Sequence, residues 1–296
     1  MRIGYPCINR SVGCSGNHTF RLASYSEDRL VETVGRNLAC LERMLRYNVE
    51  HGLLFFRITS DLVPFASHPV CRLRWQDHFG PALRRLGRFV KRHRMRISMH
   101  PDQFTLVNSP DRSILRRSIS ELLYHCDVLD AMELTGRAKI QIHVGGAYGD
   151  KPRSMSRFVR RYRRLEPRLL RRLVVENDDR IYTAEDCLGL SRQCGIPVLF
   201  DVLHHEVNPG GDAIASLLGR CAATWRRRDG LPMVDYSSQE PGARRGKHAE
   251  TLDIRMFRKF LRDSRPHDFD IMLEIKDKEA SALRALAAAT DDWRLK

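Results

Sequence analysis

Histidines and carboxylates recur at or near the ends of short apolar runs in this 296-residue chain, the pairing of residue type and position that a metal centre requires. His100 closes RISMH, His143 closes KIQIH, Glu176 falls in RLVVEN, and Asp201 follows VLF with His204 three residues on. Asp235 lies in PMVDY and Glu274 in DIMLEIK, while His68 and His248 stand in the connecting stretches. If all of these faced one another without a cation, several carboxylates would be crowded at low dielectric, at a cost of several kcal/mol each. A bound divalent ion removes that cost. Imidazoles and carboxylates without thiolates suit Mn²⁺, Zn²⁺ or Fe²⁺, and the oxygen-rich share favours Mn²⁺, with Zn²⁺, Co²⁺ or Mg²⁺ as its competitors. Nine donors over-supply one ion, so two or three are expected. Ions about 3.5–4 Å apart suit in-line displacement at phosphorus, one generating hydroxide and another stabilising the leaving oxygen.

Such side chains need rigid elements to aim them. Eight runs rich in β-branched and aliphatic residues recur along the chain, at 2–6, 53–58, 96–100, 139–143, 172–177, 197–202, 232–236 and 270–276. Between them lie helical stripes, one marked by Leu30, Val34, Leu38, Leu41 and Leu45 and another by Leu115, Ile119, Leu122, Cys126 and Leu129. Ser109-Pro110-Asp111 reads as an N-cap, a first-turn proline and an acid, and Thr183 followed by Glu185 and Asp186 as a second cap. This alternation, with no linker-like segment, predicts a single α/β domain, a (β/α)₈ TIM barrel spanning 1–296. The C-terminal ends of all eight strands then open onto one face, which would also carry Tyr5, Asn9 and Ser60. Residues 281–296 read as a terminal helix with a polar tail and no role of their own.

Composition limits the partners. The net charge of +15 calls for a polyanion, of which nucleic acid is the commonest, although 43 arginines against eight lysines dilute that signal. No apolar run approaches a membrane span and the N-terminus lacks the apolar stretch of a signal peptide, so a soluble cytoplasmic protein with no membrane partner is expected. The eight cysteines contain no Cys-x-x-Cys pair and are read as reduced thiols.

GYPCIN, HPDQF, IQIHVGGAYGDK, ENDD, FDVLHH, DYSSQ, GKHAE and MLEIKDKE, in that order from residue 4 to 279, resemble UV damage endonuclease, of the xylose-isomerase-like barrels. The resemblance implies a monomer that binds damaged double-stranded DNA, in the nucleoid when so bound, and nicks it immediately 5′ of photoproducts to leave a 3′-hydroxyl. It implies that Glu176 bridges two ions, with His68, His100 and His143 around one, Asp201, Asp235 and Glu274 around the second, and His204 and His248 on a third. Glu176, Asp201 and Glu274 would then be the catalytic carboxylates. Many relatives carry Lys-x-His where this chain has Met233-Val234-Asp235, so Asp235 would replace an imidazole with a harder oxygen donor.

Gln103 and Phe104 would project above the metals as a polar and an aromatic probe of distorted duplex. Tyr5 and Asn9 would touch the lesion strand, and Lys151 and Arg153, after a glycine-rich turn, the phosphates. His205 would point away from the site. Two other classes compete: a metal-dependent sugar isomerase or epimerase of the same superfamily, acting without DNA, and a non-catalytic nucleic-acid binder indifferent to chelators.

Overall fold

The computed structural model describes residues 1–295. Eight parallel strands close into a barrel in sequence order. They are β1 (Ile3–Pro6), β2 (Phe55–Ile58), β3 (Arg96–Met99), β4 (Lys139–His143), β5 (Leu173–Glu176), β6 (Val198–Asp201), β7 (Met233–Tyr236) and β8 (Asp270–Leu273). The main helix after each strand is, in turn, α1 (Glu27–Glu50), α2 (Gly80–Arg92), α3 (Arg112–Ala131), α4 (Lys151–Tyr162), α5 (Ala184–Cys194), α6 (Ile214–Ala222), α7 (Ile254–Asp263) and α8 (Glu279–Ala288). No helix among the described residues is long and apolar enough to cross a membrane.

Two cores follow from the strand period of two. Residues facing outward, such as Ile97, Met99, Ile140 and Ile142, pack with the helix stripes, where Leu30, Val34, Leu38, Leu41 and Leu45 are all buried. Inside the barrel, Phe55, Val174, Leu199, Met233 and Met272 form a separate apolar cluster with Trp225. Two residues further along the same strands stand Arg57, Glu176, Asp201, Asp235 and Glu274, which places the polar groups on the apolar layer as on a floor. At the opposite end, Lys139 pairs with Asp229 at 2.6 Å and Arg96 with Asp270 at 3.4 Å.

Local signals act mostly as read. Thr183 Oγ1 accepts from the Asp186 N–H while Asp186 accepts from Thr183 N at 2.7 Å, closing a capping box on α5. For α3 the cap is Asp111 itself, whose Oδ1 accepts from Ser113 N and Ile114 N, so Pro110 precedes the helix rather than opening it.

Two sequence expectations are revised. Cys14 and Cys40 are disulfide-bonded, because the loop after β1 folds back on α1 and brings their Cα atoms to 5.8 Å. The other six cysteines are free. The terminal helix is present as α8, with Ala282 and Ala285 buried, and the polar segment after it has a packing role: the guanidinium of buried Arg294 donates to Leu261 O and His267 O, holding that residue against the barrel.

Candidate metal centre

Strand register brings the donors together. His143 is the lateral partner of Glu176, and Asp201 of Asp235, so neighbouring strands present these side chains at one height. Three donor groups result: His100, His143 and Glu176; Glu176, Asp201 and His204; and Asp201, Asp235 and Glu274. Glu176 belongs to the first two and Asp201 to the last two, which makes one continuous site of them.

Backbone carbonyls fix the ring orientation of three of the imidazoles. Nδ1 of His100 lies 2.7 Å from Pro101 O, that of His204 2.9 Å from Asn177 O, and that of His248 2.9 Å from Glu274 O. A carbonyl oxygen only accepts, so each Nδ1 carries a proton; His100 and His248 turn Nε2 to the site, 3.4 Å from Glu176 and 3.7 Å from Glu274, whereas His204 presents Nδ1 itself to Glu176 at 3.2 Å and to Asp201 at 3.5 Å. Asn177 also ties β5 to β6, donating to Asp201 O and accepting from Asp201 N, both at 2.9 Å. Asp201 Oδ1 caps the following turn by accepting from His204 N at 2.7 Å. A bridge between Gln239 and His248 pins the loop that carries His248.

Two buried ligand-type atoms, Asp201 Oδ2 and His143 Nδ1, have no hydrogen-bond partner. Burial, with Glu176 and Glu274 adding to it, pushes the Asp201 carboxyl up to about 7 against the opposing pull of His204. Burial also lowers His143, against the attraction of Glu176. Burial would raise Glu176, but His143, His100 and His204 around it hold its carboxylate well below the ordinary range. Orphaned atoms, neutral-favouring burial and a shared ionised carboxylate are the environment a divalent cation satisfies, and the imidazole–carboxylate set fits Mn²⁺ or Zn²⁺.

Two side chains that the sequence reading omitted sit in the same place. Arg57 donates through Nη2 to Asp235 at 2.7 and 2.9 Å and to Gln141 Oε1 at 2.6 Å, and pairs through Nη1 with Glu274. Gln141 donates to Glu176 Oε2 at 2.6 Å and to Asp235 Oδ2 at 2.7 Å. Arg57 had a legible signal, since a guanidinium inside the apolar run LLFFRI has no place in a strand unless something buried pairs with it. Gln141, two residues before His143, lies on the same inward face.

Other expected site residues lie elsewhere. His68 is exposed, accepts from Val70 N through Nδ1 at 3.1 Å, and belongs to none of the donor groups. It borders a pocket shared with Asp102 and Phe104. Tyr5 and Asn9 are buried and unavailable to a DNA strand: Tyr5 donates to Asn48 of α1 at 2.6 Å and accepts from Asn9 at 2.7 Å, while Asn9 Oδ1 organises the loop by accepting from Ser11 N and Val12 N. The Lys151 ammonium is committed to Asp186 at 2.6 Å, which leaves Arg153, exposed at the start of α4, as the unpaired cation of that turn. Gln103 and Phe104 are exposed on the loop that follows His100, and Phe104 shows 72% of its surface. His205 does point away, packing on Phe200, but on a helical turn (Val202–Val207) rather than extended backbone. A cavity of about 640 Å³ opens at the other end of the barrel, bordered by Arg2, Arg96 and Arg137, and touches none of the donors.

The model of the family described as UV-endonuclease UvdE matches residues 1–293. This chain belongs to that family. It is 33% identical over 288 residues to a UV DNA damage endonuclease of Clostridium perfringens, covering 97% of this chain and 70% of the relative. Against one of Bacillus cereus it is 34% identical over 294 residues, covering 96% and 93%. Among solved structures, the crystal structure of SacUVDE superposes with a TM-score of 0.94 at 43% identity over 98% of both chains. A D-psicose 3-epimerase from Clostridium cellulolyticum, at TM-score 0.56 and 13% identity, covers 85% of this chain and 91% of its own. Endonuclease IV from Thermus thermophilus, at 0.55 and 18%, covers 84% and 93%. These two share the barrel fold with the UV-endonuclease chain.

Proposed function

We propose that this chain is a metal-dependent DNA repair endonuclease that hydrolyses one phosphodiester bond of duplex DNA immediately 5′ of a UV photoproduct or similar lesion. Family membership supports the reaction class. The observation that carries the chemistry is the chain of donor groups through Glu176 and Asp201 at the mouth of the barrel, beside the exposed Gln103-Phe104 loop. The net charge of +15 suits a polyanionic substrate.

In this reading His100, His143 and Glu176 hold one divalent ion and Glu176, Asp201 and His204 a second, with His248 and Glu274 at their border. Bound ions supply a hydroxide at neutral pH and stabilise the leaving oxygen. The protein fixes everything around that chemistry. The backbone carbonyls behind His100 and His248 keep their Nε2 lone pairs in the site, the Asn177 carbonyl fixes the His204 ring beside Glu176 and Asp201, and Gln141 orients the shared carboxylate Glu176. The apolar layer of Phe55, Leu199 and Met272 closes the barrel below, and substrate approaches from the mouth. Gln103 and Phe104 project from that mouth to fill the gap where a damaged base stacks poorly, and Arg153 meets a backbone phosphate.

The test is an end-labelled duplex with a single photoproduct, incubated with Mn²⁺, Mg²⁺ or chelator. A nick 5′ of the lesion that depends on the metal is expected. Equal cutting of undamaged duplex, or cutting that survives thorough metal removal, defeats the proposal. Turnover of a ketose without DNA would favour the epimerase class instead.

A further inference from the structure

The third donor group differs from the other two. The buried atoms without hydrogen bonds are His143 Nδ1, in the first group, and Asp201 Oδ2, which the second and third groups share; Asp235, which belongs to the third group alone, has no such atom. In the group of Asp201, Asp235 and Glu274, a cation is already present. Arg57 Nη2 lies 2.7 and 2.9 Å from the two oxygens of Asp235, its Nη1 pairs with Glu274, and Gln141 Nε2 adds a further donor to Asp235 Oδ2 at 2.7 Å. The guanidinium is 3% exposed and Asp235 fully buried, so no water screens the pair.

We infer that Arg57 takes the place of a third cation: the centre holds two divalent ions, both on Glu176, and Asp235 anchors the guanidinium instead of binding metal. This rests on the metal-centre reading above and refines it. The reasons are geometric and electrostatic. A carboxylate that accepts three hydrogen bonds, two of them from one guanidinium, has little lone-pair capacity left for an ion. A divalent ion drawn to Asp235 would also approach a buried guanidinium within a few ångströms, and like charges at low dielectric repel strongly. An arginine is suited to the role because it stays protonated and presents a rigid fork that spans two carboxylates.

The arrangement makes Arg57 a positioning residue. Its Nη2 also donates to Gln141 Oε1 at 2.6 Å, which turns the amide so that its N–H₂ faces Glu176 and Asp235. One fixed charge thereby orients the shared carboxylate of the two-ion site and blocks the adjoining one.

The experiment is metal counting on the purified full-length chain, by plasma mass spectrometry after equilibration with Mn²⁺ and removal of free ion, with calorimetric titration for affinity. Wild type should hold two ions per chain. Asp235→Asn should keep both, with affinities within about fivefold of wild type, whereas Arg57→Gln should gain an ion at the freed Asp201–Asp235–Glu274 group. Because either single change leaves a buried group unpaired, the double variant Arg57→Met/Asp235→Leu serves as the folded control, and it too should hold two. Three ions in wild type, or loss of an ion from Asp235→Asn or from the double variant, overturns the inference while leaving the metal centre standing. No bound ion in wild type overturns the metal centre itself.

Discussion

Removing the aromatic ring of Phe104 should separate lesion recognition from folding and from metal binding. The side chain is 72% exposed. Taking roughly 200 Å² for a phenylalanine side chain, about 140 Å² is free to be covered by DNA, and at about 25 cal/mol per Å² that sets an upper bound near 3.5 kcal/mol. Stacking of a base on an aromatic ring is worth roughly 1–3 kcal/mol, inside that bound. Intact duplex offers no gap for the ring, so the gain applies to damaged sites, where opening costs less. At about 1.4 kcal/mol per factor of ten, Phe104→Ala should reduce discrimination between damaged and undamaged duplex by about tenfold to a hundredfold, with Gln103→Ala adding to it. Little of the ring is packed, and the backbone N–H of Phe104 donates to Asp102 Oδ1 at 2.8 Å, a turn that alanine retains, so stability should change by less than about 0.5 kcal/mol. Competitive incision of lesion-bearing and plain duplexes, alongside thermal unfolding and metal content, measures all three quantities. Unchanged discrimination refutes the probe role. A large loss of stability or of metal shows that the ring is a packing element after all.

Three further outcomes follow from other parts of the structure. Glu176→Gln keeps the volume and an oxygen for Gln141 but removes the charge shared by two donor groups, so incision should fall by at least about 10³-fold, near 4 kcal/mol of barrier, with the fold intact by circular dichroism; activity within a few-fold of wild type and unaltered metal content defeats the bridging role. Burial lowers His125 to about 4, its ring nitrogens lying 2.7 Å from Glu121 O and 3.0 Å from Ser60 Oγ. Between pH 6.5 and about 4 the unfolded chain therefore binds the extra proton, and stability should drop as pH falls through that window by up to roughly 3 kcal/mol, a slope that His125→Gln should flatten in denaturant titrations. Arg153→Ala should weaken binding to all duplexes alike and lower the slope of log K against log salt by about one if it meets a phosphate, and an unchanged slope removes it from the interface.

Much of this centre is legible in one dimension. Strands betray themselves by short β-branched runs, and a histidine or carboxylate at the end of such a run is costly unless something there uses it, so His100, His143, Glu176, Asp201, Asp235 and Glu274 declare themselves by type and place. The order of eight such units determines the barrel, and the barrel determines that all these ends meet. Local chemistry likewise places the caps near 111 and 183, to within two residues.

What tertiary structure alone decided concerns groups whose environment is assembled from distant parts of the chain. His68 has the residue type and the approximate position of a ligand, yet its side chain stays exposed and its Nδ1 is taken by Val70 N; Tyr5 and Asn9 sit on the first strand and its loop, yet α1 supplies Asn48 and Tyr5 and Asn9 are buried. Cys14 and Cys40 meet because that loop folds back on α1, which no spacing between cysteines encodes. Arg57 and Gln141 became part of the site, and Asp235 gained a partner 178 residues away, only when the barrel closed. The physical reason is one of range. Residue type, period and caps are set by neighbours within a few positions, whereas the partner of a buried charge is whatever the closed barrel brings within hydrogen-bond distance of it.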